Sequence, residues 1–333
     1  MKVLVTGGGG FLGSRIVLNL LDEGHSVVAY QRSDHPRLRH LGVDVKQGSL
    51  IEKDVLANAL AGCDAVIHTA AKAGVWGPRK DYFRTNVDGT RTLIEAMEST
   101  GVSKLVHCSS PSVVFNRQSF EGEDESLPYG SKWLCPYPES KAVAEQMVLE
   151  WGRQGNGKVI ALRPHLIWGV GDPHLFPDVI QRSQSGRLRI IGNGRNRVDS
   201  TRVENAAAAH LLALRNLDNT DAVNRPYFIS QGDPPPIWDW INDMLRRVNV
   251  PILKKRVPLS LAYPLAFLAE SAWRISGRQA IPPMTRFVAV QLAKSHWFSI
   301  DAARKHLGYK PENFPTEEGM ELYSKAWLAG NAN

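Results

Sequence analysis

Along the first half of the chain, short runs of β-branched and aliphatic residues alternate with segments whose apolar positions recur at helical spacing. Runs at 2–5, 26–29, 65–68, 104–108 and 159–162 predict strands, and 15–23, 55–60, 89–98 and 142–151 predict helices between them. The strands are apolar almost throughout instead of alternating, as strands covered on both faces are, and such alternation of strand and helix builds a parallel sheet. The expected fold is therefore α/β, a Rossmann-type doubly wound parallel sheet with a smaller, irregular C-terminal lobe. After Arg163-Pro164 the pattern loosens, prolines gather at 233–236, 250–251 and 282–283, and five of the nine tryptophans lie between Trp238 and Trp327. The first domain is placed at residues 1–175, rejoined by about 200–232, and the second lobe at 176–199 and 233–333. One largely apolar stretch, 259–275, is interrupted by Pro264 and Glu270 and falls short of the roughly 20 apolar residues a spanning helix needs. It is expected to pack or to touch a surface. The acidic patch at 121–125 reads as a solvated loop.

Composition changes this picture little: 333 residues, 43% hydrophobic and 22% charged, are ordinary folded material and exclude collagen-like, low-complexity and largely disordered classes. Charge says more. Forty Lys+Arg against 33 Asp+Glu give +7 and a pI near 9.3, compatible with nucleic acid, an anionic membrane or an anionic cofactor. The basic residues are scattered and carry no recognition motif, so nucleic acid is not indicated. Cys63, Cys108 and Cys135 form no CxxC pair, and no histidine cluster has metal-ligand spacing, which argues against a disulfide framework and against a metal. With no apolar signal-peptide core in MKVLVTGGGGFLG, a cytoplasmic location is expected.

Gly7, Gly10 and Gly13 form a GxxGxxG directly after a predicted strand and at the start of a predicted helix. In that context the glycines let the backbone turn sharply and approach a pyrophosphate, while the helix beginning near Phe11 offers free N–H groups and a positive dipole end. A dinucleotide is the ligand this suits. A site preferring NAD carries a carboxylate about 20 residues on, at the end of the second strand, to bond the ribose 2′-hydroxyl. Here Gln31 and Arg32 stand there, so a 2′-phosphate would meet a guanidinium, and NADP(H) is preferred with NAD(H) as the alternative. Asp34 would be the missing acid if the strand ends about three residues later, and Arg32 would then be a surface charge.

Tyr137-Pro138-Glu139-Ser140-Lys141 is a YxxxK, whose i,i+4 spacing places phenol and ammonium on one helix face. It follows Ser109-Ser110 at the end of a predicted strand. With these residues in order the sequence resembles the extended short-chain dehydrogenase/reductase family. TGGGGFLG, His68-Thr69-Ala70-Ala71, Asn86-Val87-Asp88-Gly89-Thr90, the serines, YxxxK, Arg163-Pro164, 301–304 and 307–311 carry the resemblance over nearly the whole chain. Within the family it is similar to the 3β-hydroxysteroid dehydrogenase branch and, through AAKAGVWG, SSPSV, PYPESKA and RPHLIWG, to bacterial 2-alkyl-3-oxoalkanoate reductases of long-chain olefin biosynthesis.

The resemblance implies an NADPH-dependent, reversible reduction of a lipophilic 3-keto substrate, with Tyr137 as proton donor and Ser110, or else Ser112, bonding the developing alkoxide. Lys141 would bond the nicotinamide ribose and tune the phenol. Lowering a phenol from pKa 10 toward 7 takes about 4 kcal/mol, roughly what an ammonium 4 Å away supplies at an effective dielectric near 20. Phe11, Leu12, Leu50, Ala70, Ala71 and Pro164 would line the cofactor. Ser49 stands where the family has an Asp holding the adenine amino group, and Asn86 either shapes the site or is a plain helix N-cap.

On the substrate side Trp238, Trp240, Tyr263, Phe267, Trp273, Phe287, Trp297 and Phe298 suit an apolar ligand in number, though each alone is as easily core. Lys72 and Trp76 follow the fourth strand, where Lys72 would meet a substrate carboxylate or face solvent; His165 borders the pocket or packs in the core. The run Lys254-Lys255-Arg256 beside 259–275 is a solvated face, or docks on an anionic membrane or in a multienzyme contact. A 3β-hydroxysteroid or sterol dehydrogenase is the alternative reading, a nucleotide-sugar epimerase or dehydratase a third, and a redox-sensing binder a fourth, disfavoured because tyrosine and lysine are both present. The resemblance further implies a homodimer through the helices at 89–98 and 142–151.

Overall fold

The structure is a computed structural model that describes residues 1–278 and 280–330. Seven strands, β1 (Lys2–Thr6), β2 (Ser26–Gln31), β3 (Asp44–Gln47), β4 (Ala65–His68), β5 (Lys104–Cys108), β6 (Lys158–Pro164) and β7 (Arg225–Ile229), form one parallel sheet in the order β7-β6-β5-β4-β1-β2-β3. Alternate residues of β1 serve opposite faces, as the strand repeat requires. Val3 and Val5 pack with Ile16 and Leu20 of α1 (Phe11–Asp22), whereas Leu4 meets Leu56 of α2 (Lys53–Leu60), Leu93 and Met97 of α3 (Gly89–Thr100), and Val148 of α4 (Pro136–Arg153). The face of Val3 and Val5 also receives Ala206, Ala209 and Ala213 of α5 (Val203–Arg215). This is the doubly wound Rossmann-type sheet the sequence predicts. Strand order reverses between β1 and β4, and that switch opens a crevice at the carboxyl ends of the strands.

Helix α4 begins at Pro136, six residues before the periodicity at 142–151. Pro136 and Pro138 occupy the first turn, where a backbone N–H has no intrahelical acceptor and proline's fixed φ suits the helix, so Tyr137 and Lys141 both lie within it. The acidic patch is corrected by the structure. Phe120–Glu123 is a strand pairing with His296–Phe298, and the Glu125 carboxylate accepts the Phe228 N–H at 2.7 Å; burial raises its pKa against the pull of that bond.

The second lobe has its own core, in which Trp168, Phe176, Trp240 and Tyr323 make edge and tilted ring contacts 4.8–5.6 Å apart. Helices α6 (Ile237–Arg247), α7 (Leu259–Ile275), α8 (Arg286–Ala293) and α9 (Thr316–Leu328) build it. Trp238 and Trp240 are buried within this core, because α6 must bury its apolar stripe against the lobe. Among the described residues no helix is long and apolar enough to cross a membrane.

Candidate active site

Gly7 and Gly13 of the loop hold positions a side chain would not fit. Gly7 has φ +71° and donates its N–H to Tyr30 O at 2.8 Å; a Cβ on Gly13 would collide with the Gly7 carbonyl oxygen. Gly10 caps α1 with no side-chain bond, leaving first-turn N–H groups free. Phe11 and Leu12 form that first turn, with Leu12 buried beneath it. Gly7 and Gly10, with Arg32, Ser49, Leu50, Ala70, Ala71 and Lys72, line a cleft of about 760 Å³ at the switch point. Such a cradle, open at an unsatisfied helix N-terminus and approachable because its residues lack side chains, fits the phosphates of a dinucleotide.

At the end of β2, Gln31 bonds the Ser33 carbonyl through Nε2 at 3.0 Å, while its buried Oε1 has no partner among the described residues. Asp34 also reaches the cleft, but its carboxylate accepts Arg39 Nε at 2.7 Å, and that bond holds its pKa below the ordinary value. The Ser49 backbone is pinned, its N–H donating to Glu52 at 2.5 Å and its carbonyl accepting the Tyr30 hydroxyl at 2.8 Å. Leu50 lies against Gly89, where a Cβ would approach to 2.8 Å. Pro164 ends β6, buried and paired with Ile229 of β7.

Tyr137 and Lys141 share one face of α4. The Lys141 ammonium is buried and donates to the Cys108 carbonyl at the end of β5, 2.6 Å away, and burial lowers its pKa. Ser110 accepts both the Ser112 N–H at 3.2 Å and the Ser112 hydroxyl at 3.0 Å, which leaves the Ser110 proton for Tyr137 or a substrate oxygen. Ser110 is thus the serine beside the phenol, with Ser112 behind it. Burial, then the Cys108 thiol, keeps the Tyr137 phenol above its ordinary pKa, opposed by the hydrogen bond with Ser110. The interior penalises a phenolate, and one of the three N–H donors of Lys141 goes to the Cys108 carbonyl.

Asn86 is not an N-cap. It lies in a π-helical stretch, Phe83–Asp88, where its Oδ1 accepts the Lys72 N–H at 2.7 Å and its Nδ2 donates to the Lys72 carbonyl at 3.0 Å and Ser140 Oγ at 2.9 Å. Asn86 therefore ties the loop after β4 to α4. Behind it His68 bridges Thr6 Oγ1 at 2.7 Å and Thr90 Oγ1 at 3.1 Å, and Thr90 donates to the Asn86 carbonyl at 2.6 Å. Burial, then Lys141, pushes His68 down to about 3, so the imidazole is neutral. Sequence reasoning assigned no role to Thr6, His68, Thr90 or Ser140. Thr6 and His68 meet only through the β1–β4 register.

Lys72 carries its ammonium 5.3 Å from the Tyr82 ring centroid, and Trp76 lies beneath Arg274 at 5.4 Å. His165 and Ser112 share a small cavity of about 20 Å³ with His296 and Phe298, separate from the cleft. His296 Nε2 faces the Gln291 carbonyl at 2.7 Å and must donate, so its Nδ1 accepts from His165 Nε2 at 2.6 Å, leaving His165 Nδ1 as an acceptor. Around Tyr137, buried Phe115, Leu134 and Phe287 pack with Val75 and Tyr263 into an apolar wall.

Comparison with known proteins agrees with the motif reading. The family described as 3-beta hydroxysteroid dehydrogenase/isomerase matches residues 4–261. The 2-alkyl-3-oxoalkanoate reductase of Stenotrophomonas maltophilia (strain K279a) is 41% identical over 325 residues, 96% of this chain and 97% of that protein. Sterol-4-alpha-carboxylate 3-dehydrogenase, decarboxylating, of Mus musculus is 35% identical over 93% of this chain and 86% of its own. The crystal structure of gox2253 superposes with a TM-score of 0.81 at 27% identity, covering 100% of this chain and 99% of that one. The UDP-glucose 4-epimerase of Thermus thermophilus in complex with NAD shares the fold, with a TM-score of 0.74 at 23% identity over 98% of each chain.

Proposed function

The chain belongs to the 3-beta hydroxysteroid dehydrogenase/isomerase family, oxidoreductases acting on hydroxyl and keto groups, and on that premise we propose that it reduces a lipophilic 2-alkyl-3-oxoalkanoic acid to the 3-hydroxy acid with NADPH, reversibly. The observation that carries this reading is the Tyr137 phenol set in an apolar wall on the helix face of Lys141, kept in its acid form by burial. When bound, the reduced nicotinamide supplies a hydride. The substrate oxygen then becomes an alkoxide, which needs a proton and a positioned hydrogen bond. Tyr137, kept in its acid form by burial, gives the proton, and Ser110 gives the hydrogen bond. Reduction leaves Tyr137 as a phenolate that must take up a proton before the next turnover, and the reverse oxidation starts from that same phenolate.

The remaining residues have supporting places. Gly7, Gly10 and Gly13 would admit the pyrophosphate, Arg32 would hold a 2′-phosphate, and Ser49 and Leu50 would hold the adenine. Lys141 is the group to bond the nicotinamide ribose, and Asn86 positions α4 beside it. Lys72, which lines the cleft together with Arg32 and Arg84, would meet the substrate carboxylate. The phenyl and indole groups around Tyr137 favour an alkyl chain over a sugar, which needs many hydrogen bonds. The three unpaired cysteines fit a reducing compartment such as the cytoplasm.

Loss of NADPH absorbance tests the reading, with a 2-alkyl-3-oxo fatty acid and a 3β-hydroxysteroid as competing substrates and NADH as competing cofactor. Turnover of the keto acid with NADPH is expected. Steroid oxidation with NAD⁺ and no turnover of the keto acid would replace the reading with a sterol dehydrogenase.

A further inference from the structure

Ser112 and His165 take no part in the chemistry described above, yet they line one cavity of about 20 Å³ together with His296. That is room for a single water molecule, which needs roughly 10–15 Å³ and at least two polar partners. The rings of Pro111, Phe115, Phe120 and Phe298 form other walls of the cavity, and these neither donate nor accept. Three distant segments meet there: Ser112 follows β5, His165 follows β6, and His296 opens the strand His296–Phe298 of the second lobe.

The direction of each hydrogen bond follows from one fixed end. The Gln291 carbonyl only accepts, so His296 carries its proton on Nε2; its bare Nδ1 accepts from His165 Nε2, and His165 Nδ1 is bare in turn. Burial keeps both rings neutral, lowering the pKa of His296 to about 4 and, with His296 beside it, that of His165 well below the ordinary value. A bare ring nitrogen is satisfied only by a donor. Water in the cavity brings two protons, one for His165 Nδ1 and one for the Ser112 oxygen. At the other end the hydroxyl oxygens of Ser112 and Ser110 are 3.0 Å apart, and a hydroxyl pair can donate either way. When the Ser112 oxygen accepts from the water, its own proton turns to Ser110. The Ser110 oxygen also takes the Ser112 N–H at 3.2 Å, so both its lone pairs are then filled and its proton points into the active site.

We propose that His165 and His296 are positioning residues which, through one buried water and Ser112, commit the Ser110 hydroxyl to donate to the substrate oxygen. The use made of that hydroxyl rests on the function proposed above, whereas the direction of the chain from Gln291 to Ser112 does not. Because the Ser110 bond strengthens as the oxygen gains charge, loss of the chain is felt in the rate and not in the binding of cofactor or substrate.

Long-range ¹⁵N–¹H correlation of the imidazole rings in the full wild-type chain tests the chain of bonds without reference to activity. Both rings are expected neutral with the proton on Nε2, and a proton on Nδ1 of either overturns the proposal. Single-turnover rates then test its use. His165→Phe and Ser112→Ala should each lower the rate about tenfold, the worth of one directed hydrogen bond, with NADPH affinity and substrate KM within about twofold of wild type. His165→Phe/Ser112→Ala should be no slower than the slower single variant, because both break one chain, and His165→Asn, which keeps an acceptor near the Nδ1 position, should return to within about threefold of wild type. Wild-type rates in both single variants, a double variant about a hundredfold slow, or a loss of affinity as large as the loss of rate overturns the proposal. If the wild type turns over the steroid and not the keto acid, the proposed function falls, and the same rate comparison on the steroid decides the role of the two histidines.

Discussion

Glu145 lies one helical turn beyond Lys141 on α4 and is buried against Arg163 of β6. Its Oε1 is 2.6 Å from Arg163 Nη2, its Oε2 is 3.0 Å from Arg163 Nε, and Oε1 also accepts the Tyr129 hydroxyl at 2.7 Å. Neither charge reaches water: Arg163 is 2% exposed and Glu145 0%. Glu145→Ala therefore leaves a guanidinium uncompensated in the interior, where its Nη1 already lacks a partner among the described residues. An orphaned buried charge costs about 3–5 kcal/mol, a large fraction of the roughly 5–15 kcal/mol that stabilises a folded protein. At an m-value of about 3 kcal/mol/M, the urea midpoint should fall by at least about 1 M. Replacing both partners with apolar residues, Glu145→Leu/Arg163→Met, removes the charge along with its partner and should recover most of the loss. Urea unfolding followed by circular dichroism measures the wild type and both variants. A cost below about 1 kcal/mol for Glu145→Ala, or a double variant no more stable than the single, would refute the claim that this pair pins α4 to the sheet.

Two further outcomes are expected. Arg32→Ser should weaken NADPH binding about tenfold to a hundredfold, the worth of a charge-assisted hydrogen bond, and leave NADH binding unchanged in a titration; equal effects on both cofactors would remove Arg32 from the 2′-phosphate. Asp199 is raised from its ordinary 3.8 to about 7 by burial, although the Phe298 N–H and Ser230 pull the other way. Its folded form then holds a proton that the unfolded chain releases, so stability falls as pH rises from about 4 to 7 and is level above, by up to about 4 kcal/mol. Asp199→Asn should flatten that slope in unfolding measured across the window, and an unchanged slope would assign it to other groups.

What the sequence made legible was local. The glycine loop, YxxxK and the serine pair each span a few residues, and their spacing is itself the geometry of a turn or a helix face. The strands were readable because both faces of the sheet are covered, so Val3, Leu4 and Val5 are apolar in succession. Contacts between distant segments were not readable. Asn86 reaches Ser140, Lys141 reaches the Cys108 carbonyl and Glu125 reaches the Phe228 N–H only after strands and helices have packed. Nor does composition separate an aromatic of the core from one near a ligand. Trp238 and Tyr263 look alike in sequence, yet one is buried in the second lobe and the other stands beside Tyr137. Spacing likewise places the Lys141 ammonium on the phenol's helix face but does not show that it also bonds the Cys108 carbonyl.

Tyr137 carries the central claim, and the most direct test is the single-turnover rate of NADPH oxidation with a 2-alkyl-3-oxo acid in Tyr137→Phe, alongside NADPH affinity in the same variant. Loss of the proton donor should lower the rate about 10²- to 10⁴-fold and leave NADPH affinity within about twofold of wild type. A variant that keeps most of the rate, or one that loses cofactor binding as steeply as rate, would contradict the assignment of Tyr137 as the acid.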